Sequence, residues 1–184
     1  AGRPLLLGSI AVEDRGGPNE AWFNGAFLVT PSEGVAAGYY AKRQLVPFGE
    51  YVPLRPLLGW LEKFVPVGGD FIAGDSAAPL LVPVRGEPVA IGPLICYEDT
   101  YPELARLSAL SGAGLIAVLT NNGWFGEGGA AQQHAAHSVL RAVETRRPVL
   151  RCGNAGWSGW IDEFGVVRAT LTEPERGIYF RGSR

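Results

Sequence analysis

The chain has 184 residues, 47% of them hydrophobic, and 16 Lys and Arg against 18 Asp and Glu leave a net charge of -2. That is enough apolar material for one domain with a core of its own, and the balance of charge offers no basic footprint, which excludes nucleic acid as an expected partner. No run approaches the roughly 18 uninterrupted apolar residues that a membrane-spanning helix requires.

In chain order, Pro4 to Ala11 reads as a buried strand, and Asp14 to Asn19 as a loop by its Gly and Pro content. Trp22 to Thr30 is a second strand, and Tyr39 to Val46 a third extended segment. The latter ends at Pro47-Phe48-Gly49-Glu50-Tyr51-Val52-Pro53, where two prolines exclude regular helix and impose a shaped loop. Leu54, Leu57, Leu58, Leu61 and Phe64 then recur at spacings of three and four, which predicts a short amphipathic helix with Pro56 in its first turn. Pro88 to Ile95 is a continuous apolar run and reads as a buried strand. It stops at Cys96, and Thr100-Tyr101-Pro102-Glu103 has the spacing of a capping box ahead of a helix reaching Leu110. Gly114 to Thr120 is a second buried strand, so the two strands and the helix between them form a βαβ unit. Ala130 to Arg146 reads as the longest helix, ended by Pro148, and Val149 to Arg151 as a short strand. Ser158 to Asp162 and Val166 to Leu171 flank Glu163-Phe164-Gly165 as a hairpin.

The chemistry centres on three of these places. Cys96 stands at a strand-to-helix corner, where the positive end of the following helix favours thiolate over thiol. Taken alone it reads as a small buried packing residue. Lys42 and Glu50 are expected at the same sheet end. An amine there can stabilise the oxyanion formed when a thiol attacks a carbonyl, and a carboxylate beside it holds the amine charged and oriented. Two cysteines, Cys96 and Cys152, give neither a disulfide framework nor a zinc spacing. His134 and His137, three apart on the long helix, have no third ligand and read as helix surface or packing. No metal and no cofactor is expected.

Four strings, taken together, resemble the nitrilase superfamily and, within it, the bacterial apolipoprotein N-acyltransferases. Tyr40-Ala41-Lys42-Arg43-Gln44-Leu45-Val46-Pro47-Phe48-Gly49-Glu50-Tyr51-Val52-Pro53 looks like the lysine motif and Ile95-Cys96-Tyr97-Glu98 like the nucleophile motif. Thr120-Asn121-Asn122-Gly123-Trp124-Phe125-Gly126, and then Gln133-His134 with Arg141 to Arg151, follow in the family's order. Ala41 and Gly123 depart from the usual residues but supply no reacting atom. The resemblance implies an α/β fold, a four-layer αββα sandwich, as a single domain over residues 1–184.

It also implies an activity: acyl transfer through a Cys thioester, from a phospholipid donor to the terminal amine of a diacylglyceryl-cysteine lipoprotein. By residue match Cys96 is the nucleophile, Lys42 the oxyanion stabiliser and Glu50 the carboxylate supporting Lys42. Tyr97 and Glu98 are neighbours of the site, Tyr97 offering its backbone N–H. Trp124 and Phe125 either line an acyl pocket or are plain core, and Trp60, Leu61 and Phe64 either touch lipid or pack on their own domain. Cys152 is expected as buried packing. The family's general-base Glu has no counterpart here, since Glu13, Asp14, Glu20 and Glu33 all lie in loop-like sequence. With no Met anywhere and no signal-peptide order at Ala1-Gly2-Arg3-Pro4, the expectation is a fragment lacking that Glu and the family's membrane helices, and therefore inactive by itself. The implied location is the bacterial inner membrane, with this domain on its periplasmic side. Two other readings remain: an amidase that delivers water to the same thioester, and a non-catalytic remnant.

Overall fold

The computed structural model describes residues 2–60, 70–123 and 129–171. Two sheets pack face to face. β1 (Leu5–Glu13), β2 (Ala21–Thr30) and β3 (Gly34–Ala41) form an antiparallel sheet in sequence order. β4 (Leu80–Val84), β5 (Glu87–Ile95), β6 (Leu115–Asn121), β7 (Val149–Asn154), β8 (Gly159–Ile161) and β9 (Val167–Thr170) form the second. In it β5, β6 and β7 run parallel and the outer pairs antiparallel. Helix α2 (Pro102–Leu110) makes the crossover from β5 to β6, and α3 (Ala130–Thr145) the one from β6 to β7. A short helix α1 (Arg55–Leu58) lies between the sheets in sequence.

The continuous apolar runs of β5 and β6 follow from their position, because both faces are covered. Leu94, Ile116, Val118 and Val149 pack with Ala105, Ala135 and Ala142 of the two long helices. The alternate residues point to the other sheet: Ile91 and Ala117 meet Leu28 and Val82, while Ile95 meets Ala26 and Tyr40. Gly92 lets α2 come close, since a Cβ there would lie 2.9 Å from that of Ser108 and 3.0 Å from that of Ala113. An α/β sandwich is the expected class of fold, with α2 and α3 on the outer face of the second sheet, and the βαβ unit and the β8–β9 hairpin are where the sequence placed them.

Several expectations are corrected. β1 is not buried: Leu6 enters the core between the sheets, but Leu5 and Leu7 point away from the second sheet and are 54% and 46% exposed. The third strand begins earlier than Tyr39 and ends at Ala41, because its pairing to β2 starts at Gly34. The amphipathic helix from Leu54 is described only over Arg55–Leu58, with Pro56 in its first turn, and Leu54 and Leu57 are exposed instead of packed. Its remainder, with Leu61 and Phe64, falls outside the described residues, and Trp60 is exposed. Thr100 does not cap α2; its hydroxyl donates to the Tyr97 carbonyl at 2.7 Å, and a 3-10 turn, Cys96–Thr100, separates the strand from the helix. Cys96 therefore does not sit at the helix end, which removes the dipole argument made for it. Cys152 is exposed, because alternation along β7 turns Val149, Arg151 and Gly153 inward and Leu150 and Cys152 outward.

Candidate active site

Lys42 follows the last residue of β3. Its N–H donates to Asn24 of β2 at 2.8 Å and its carbonyl accepts from Gly74 at 2.8 Å, so the backbone is pinned on both sides. Gly74 has to be glycine for that approach, since a Cβ would sit 2.4 Å from the Ala41 carbonyl oxygen. The Lys42 side chain is 1% exposed, a costly position for an ammonium unless it is paired. Its partner is Glu50, whose two oxygens accept from Nζ at 2.9 and 2.8 Å.

The proline-framed loop sets the Glu50 carboxylate in place. Phe48 adopts a left-handed φ of 61°, its N–H donates to the Tyr51 carbonyl at 2.8 Å, and the Glu50 N–H returns to Val46 at 2.9 Å. In that tight turn the carboxylate folds back to accept from the Val46 N–H at 2.8 Å, while Asn24 Nδ2 donates to it at 2.9 Å. With its oxygens so occupied, Glu50 is a fixed counter-charge for Lys42.

Cys96 opens the 3-10 turn with φ of 54°. A non-glycine residue held there is strained and persists only where the surroundings over-determine it. Two consecutive buried carboxylates do so. Glu98 is fully buried and accepts from Ile95 N at 2.6 Å, Arg43 N at 2.7 Å, Gln44 N at 3.0 Å and the Tyr40 hydroxyl at 2.8 Å. It thus ties the cysteine turn to the backbone immediately after Lys42. Arg43 adds a second tie, its guanidinium donating to the Leu104 carbonyl and the Ser108 hydroxyl of α2, each at 3.1 Å. Burial pushes the Glu98 carboxyl above its ordinary range, against the pull of those four donors. Burial likewise raises the Tyr40 phenol, with the Glu98 charge adding to it.

Asp99 points to the other side. It accepts from His134 Nε2 at 2.8 Å and the Ser138 hydroxyl at 2.8 Å, both on α3, and from Arg151 Nη1 on β7. Its carbonyl accepts from Arg141 at 3.0 Å. Burial alone would raise the Asp99 carboxyl, but His134, Arg151 and Ser138 hold it below the ordinary range.

The Tyr97 ring lies under the Lys42 ammonium, 5.7 Å from Nζ to the ring centroid, which places the amine at the cysteine turn. Its hydroxyl pairs with that of Tyr101 at 2.6 Å, and burial together with that contact pushes the Tyr97 phenol up to about 12. The half-buried Cys96 packs against Ile95, Tyr40 and Ala26. Lys42, Glu50, Cys96, Tyr97 and Glu98 are therefore one constellation at the carboxyl ends of β3 and β5. Trp124 and Phe125 fall outside the described residues. His134 is buried among polar partners and is not on the helix surface, and no group of metal-ligating side chains occurs among the described residues.

The sequence did not single out Asn24, Tyr40, Asp99, Ser138 or Arg151. Part of the signal was there: His134, Ser138 and Arg141, spaced by four and three, make a polar stripe on the buried face of an Ala-rich helix, where apolar residues are the rule.

A two-sheet sandwich with a cysteine at a parallel strand end and a buried Lys–Glu pair beside it defines a class. The family profile of the carbon-nitrogen hydrolases matches residues 3–181, and the chain belongs to that family. Among curated proteins it is 40% identical over 163 residues to the apolipoprotein N-acyltransferase of Geobacter metallireducens, covering 89% of this chain and 30% of that protein. To the apolipoprotein N-acyltransferase of Agrobacterium fabrum it is 37% identical over 180 residues, 96% of this chain and 33% of that protein. The chain thus spans about a third of the length of these relatives. Two solved structures share the fold: a Saccharomyces cerevisiae member of branch 10 of the nitrilase superfamily (TM-score 0.60, 17% identity, 93% of this chain and 55% of that one), and an amidase from Nesterenkonia sp. (TM-score 0.59, 22% identity, 95% and 57%).

Proposed function

We propose that this chain carries the acyl-transfer site of a lipoprotein N-acyltransferase. The observation that carries the reading is the buried Lys42–Glu50 pair set over Tyr97, next to a strained Cys96, in a chain 37–40% identical to proteins of that name. In the first half-reaction Cys96 Sγ attacks the ester carbonyl of a phospholipid. The carbonyl oxygen takes the developing charge beside the Lys42 ammonium and the Tyr97 N–H, where fixed donors in a partly dry site are most effective. The C–O bond then breaks, the lysophospholipid leaves with the proton that Sγ gave up, and the acyl group stays on sulfur. In the second half the α-amine of a diacylglyceryl-cysteine lipoprotein attacks the thioester. The N–C bond forms, the C–S bond breaks, and the proton lost by nitrogen returns to Sγ. Covalent catalysis divides one difficult exchange into two that share an oxyanion site.

A base for Sγ is needed, and the carboxylates around the site are committed: Glu50 to Lys42, Glu98 to backbone donors, Asp99 to Arg151 and α3. The base is proposed to be a Glu outside residues 1–184, which would make this single nitrilase-like domain inactive by itself. Contact with the membrane is proposed through segments outside residues 1–184, at the periplasmic side of the bacterial inner membrane. No helix among the described residues is long and apolar enough to cross a membrane. No cofactor is invoked, and the partners proposed are the phospholipid donor and the lipoprotein acceptor.

The test incubates the full-length protein with phospholipid vesicles and reads Cys96 by mass spectrometry, then adds a diacylglyceryl-cysteine peptide. An acyl mass on Cys96 that moves to the peptide amine is expected. No acyl-enzyme, or transfer that survives Cys96→Ala, would refute the reading, and release of the acyl group to water alone would favour an amidase.

A further inference from the structure

We propose that Arg151 is a positioning residue for Cys96: bound to Asp99 inside the sheet-and-helix core, it fixes the nucleophile turn and brings a positive charge to it. The inference rests on Cys96 being the nucleophile. Three observations lead to it.

Leu94, Val118 and Arg151 lie side by side across β5, β6 and β7, all on the helix-facing side of the sheet. With strands about 4.8 Å apart, Arg151 starts two strands from the chain that leads into Cys96. Its side chain crosses that distance to reach Asp99, three residues after Cys96 in the same turn. An aliphatic residue would fill this face as its neighbours do, so a 1% exposed arginine there requires a different account.

The guanidinium is only partly used. Nη1 bonds to Asp99 and, at 2.9 Å, to the Ser138 hydroxyl, whereas Nε and Nη2 are buried without a hydrogen-bond partner among the described residues. Buried donors left without a partner call for an explanation, and neighbouring Arg141 shares the feature at its Nε. Burial works against the Arg151 charge and Asp99 works for it, so the guanidinium is held as a paired cation at the Cys96 turn.

Arg141 closes the arrangement by gripping the Asp99 carbonyl. The left-handed residue at the head of the turn is thus clamped by Glu98 from the Lys42 side and by Asp99 from the Arg151 side. Of the two carboxylates, Asp99 is the one bonded directly to a guanidinium.

The experiment reads Cys96 without substrate, so that it is separable from acyl transfer. In the intact protein carrying Cys152→Ser, the rate of Cys96 alkylation by iodoacetamide at pH 7 is followed by peptide mass spectrometry, alongside the urea midpoint. Arg151→Met is expected to alkylate about tenfold more slowly, because an opposite charge close to the turn favours the reactive thiolate and its loss disfavours it. Arg151→Lys should stay within about twofold of the parent, because a single nitrogen makes the Asp99 contact and an ammonium can replace it. The double variant Asp99→Asn with Arg151→Met removes both buried charges. It is expected to recover the urea midpoint that the single variant loses, yet to alkylate about threefold more slowly than the parent. A double variant that recovers both stability and rate would overturn the proposal, as would a stably folded Arg151→Lys as slow as Arg151→Met. Should Arg151→Met fail to fold, the double variant decides. A Cys96 that reacts at its parent rate in every variant sinks this inference alone, whereas acyl transfer surviving Cys96→Ala sinks the functional reading beneath it.

Discussion

Glu98 offers the sharpest test of how the cysteine turn is held. Its Oε1 accepts from the Arg43 and Gln44 N–H groups and its Oε2 from the Ile95 N–H and the Tyr40 hydroxyl, in a site with no exposure. In Glu98→Gln the amide oxygen would keep the first pair, and the NH2 would face Tyr40, whose hydroxyl already accepts from Arg43 Nε and would have to turn its own hydrogen away. The Ile95 N–H would then face an NH2, leaving a buried donor unsatisfied at a cost of about 2 kcal/mol. Glu98→Ala strands all of the backbone donors and should cost at least about 4 kcal/mol, a large share of the roughly 5–15 kcal/mol by which a domain is stable. With a urea slope of about 2 kcal/mol/M, the Gln variant should lower the urea midpoint by about 1 M, read from tryptophan fluorescence. The sign of the pH dependence follows separately. A carboxyl raised above its ordinary 4.5 binds its proton more tightly folded than unfolded, so stability falls as pH rises from 4.5 through the raised value. Glu98→Gln should remove that slope. A Gln variant whose midpoint stays within about 0.3 M of the parent would refute the clamp.

Lys42→Met leaves the Glu50 carboxylate, 14% exposed, without its counter-charge, and should cost about 3 kcal/mol in a urea titration; adding Glu50→Gln should recover part of it. At Cys96, where φ is 54°, Cys96→Gly should be about 1 kcal/mol more stable than Cys96→Ala, a gap of a few degrees in thermal melting, because only glycine adopts that backbone without cost. Asp99, held below the ordinary 3.8, gives stability that is present above that pH and is lost as pH falls through its folded value, so an acid titration of Asp99→Asn should lack that limb.

Local signals suffice for several elements. Continuous apolar runs bounded by Gly and Pro fixed β5 and β6, since strands buried on both faces have no room for polar residues. The Ala-rich stretch ahead of Pro148 fixed α3, and two prolines fixed the loop that presents Glu50. Cys96, Lys42 and Glu50 were named from their strings, and the fold brings them to one sheet end.

Other features depend on long-range contacts. β4 carries no signal beyond a short apolar run, and only its pairing with β5 makes it a strand. The exposure of β1 depends on which neighbours a strand has, a long-range property that local pattern does not contain. The spacing at Thr100 promised a cap, but the chain spends those residues on a 3-10 turn, because Glu98 and Asp99 bond in opposite directions to partners 35 to 58 positions distant. A carboxylate beside a cysteine reads as a charged neighbour in sequence. Only the sheets and α3, closing around it, turn Glu98 and Asp99 into the two buried anchors of the Cys96 turn.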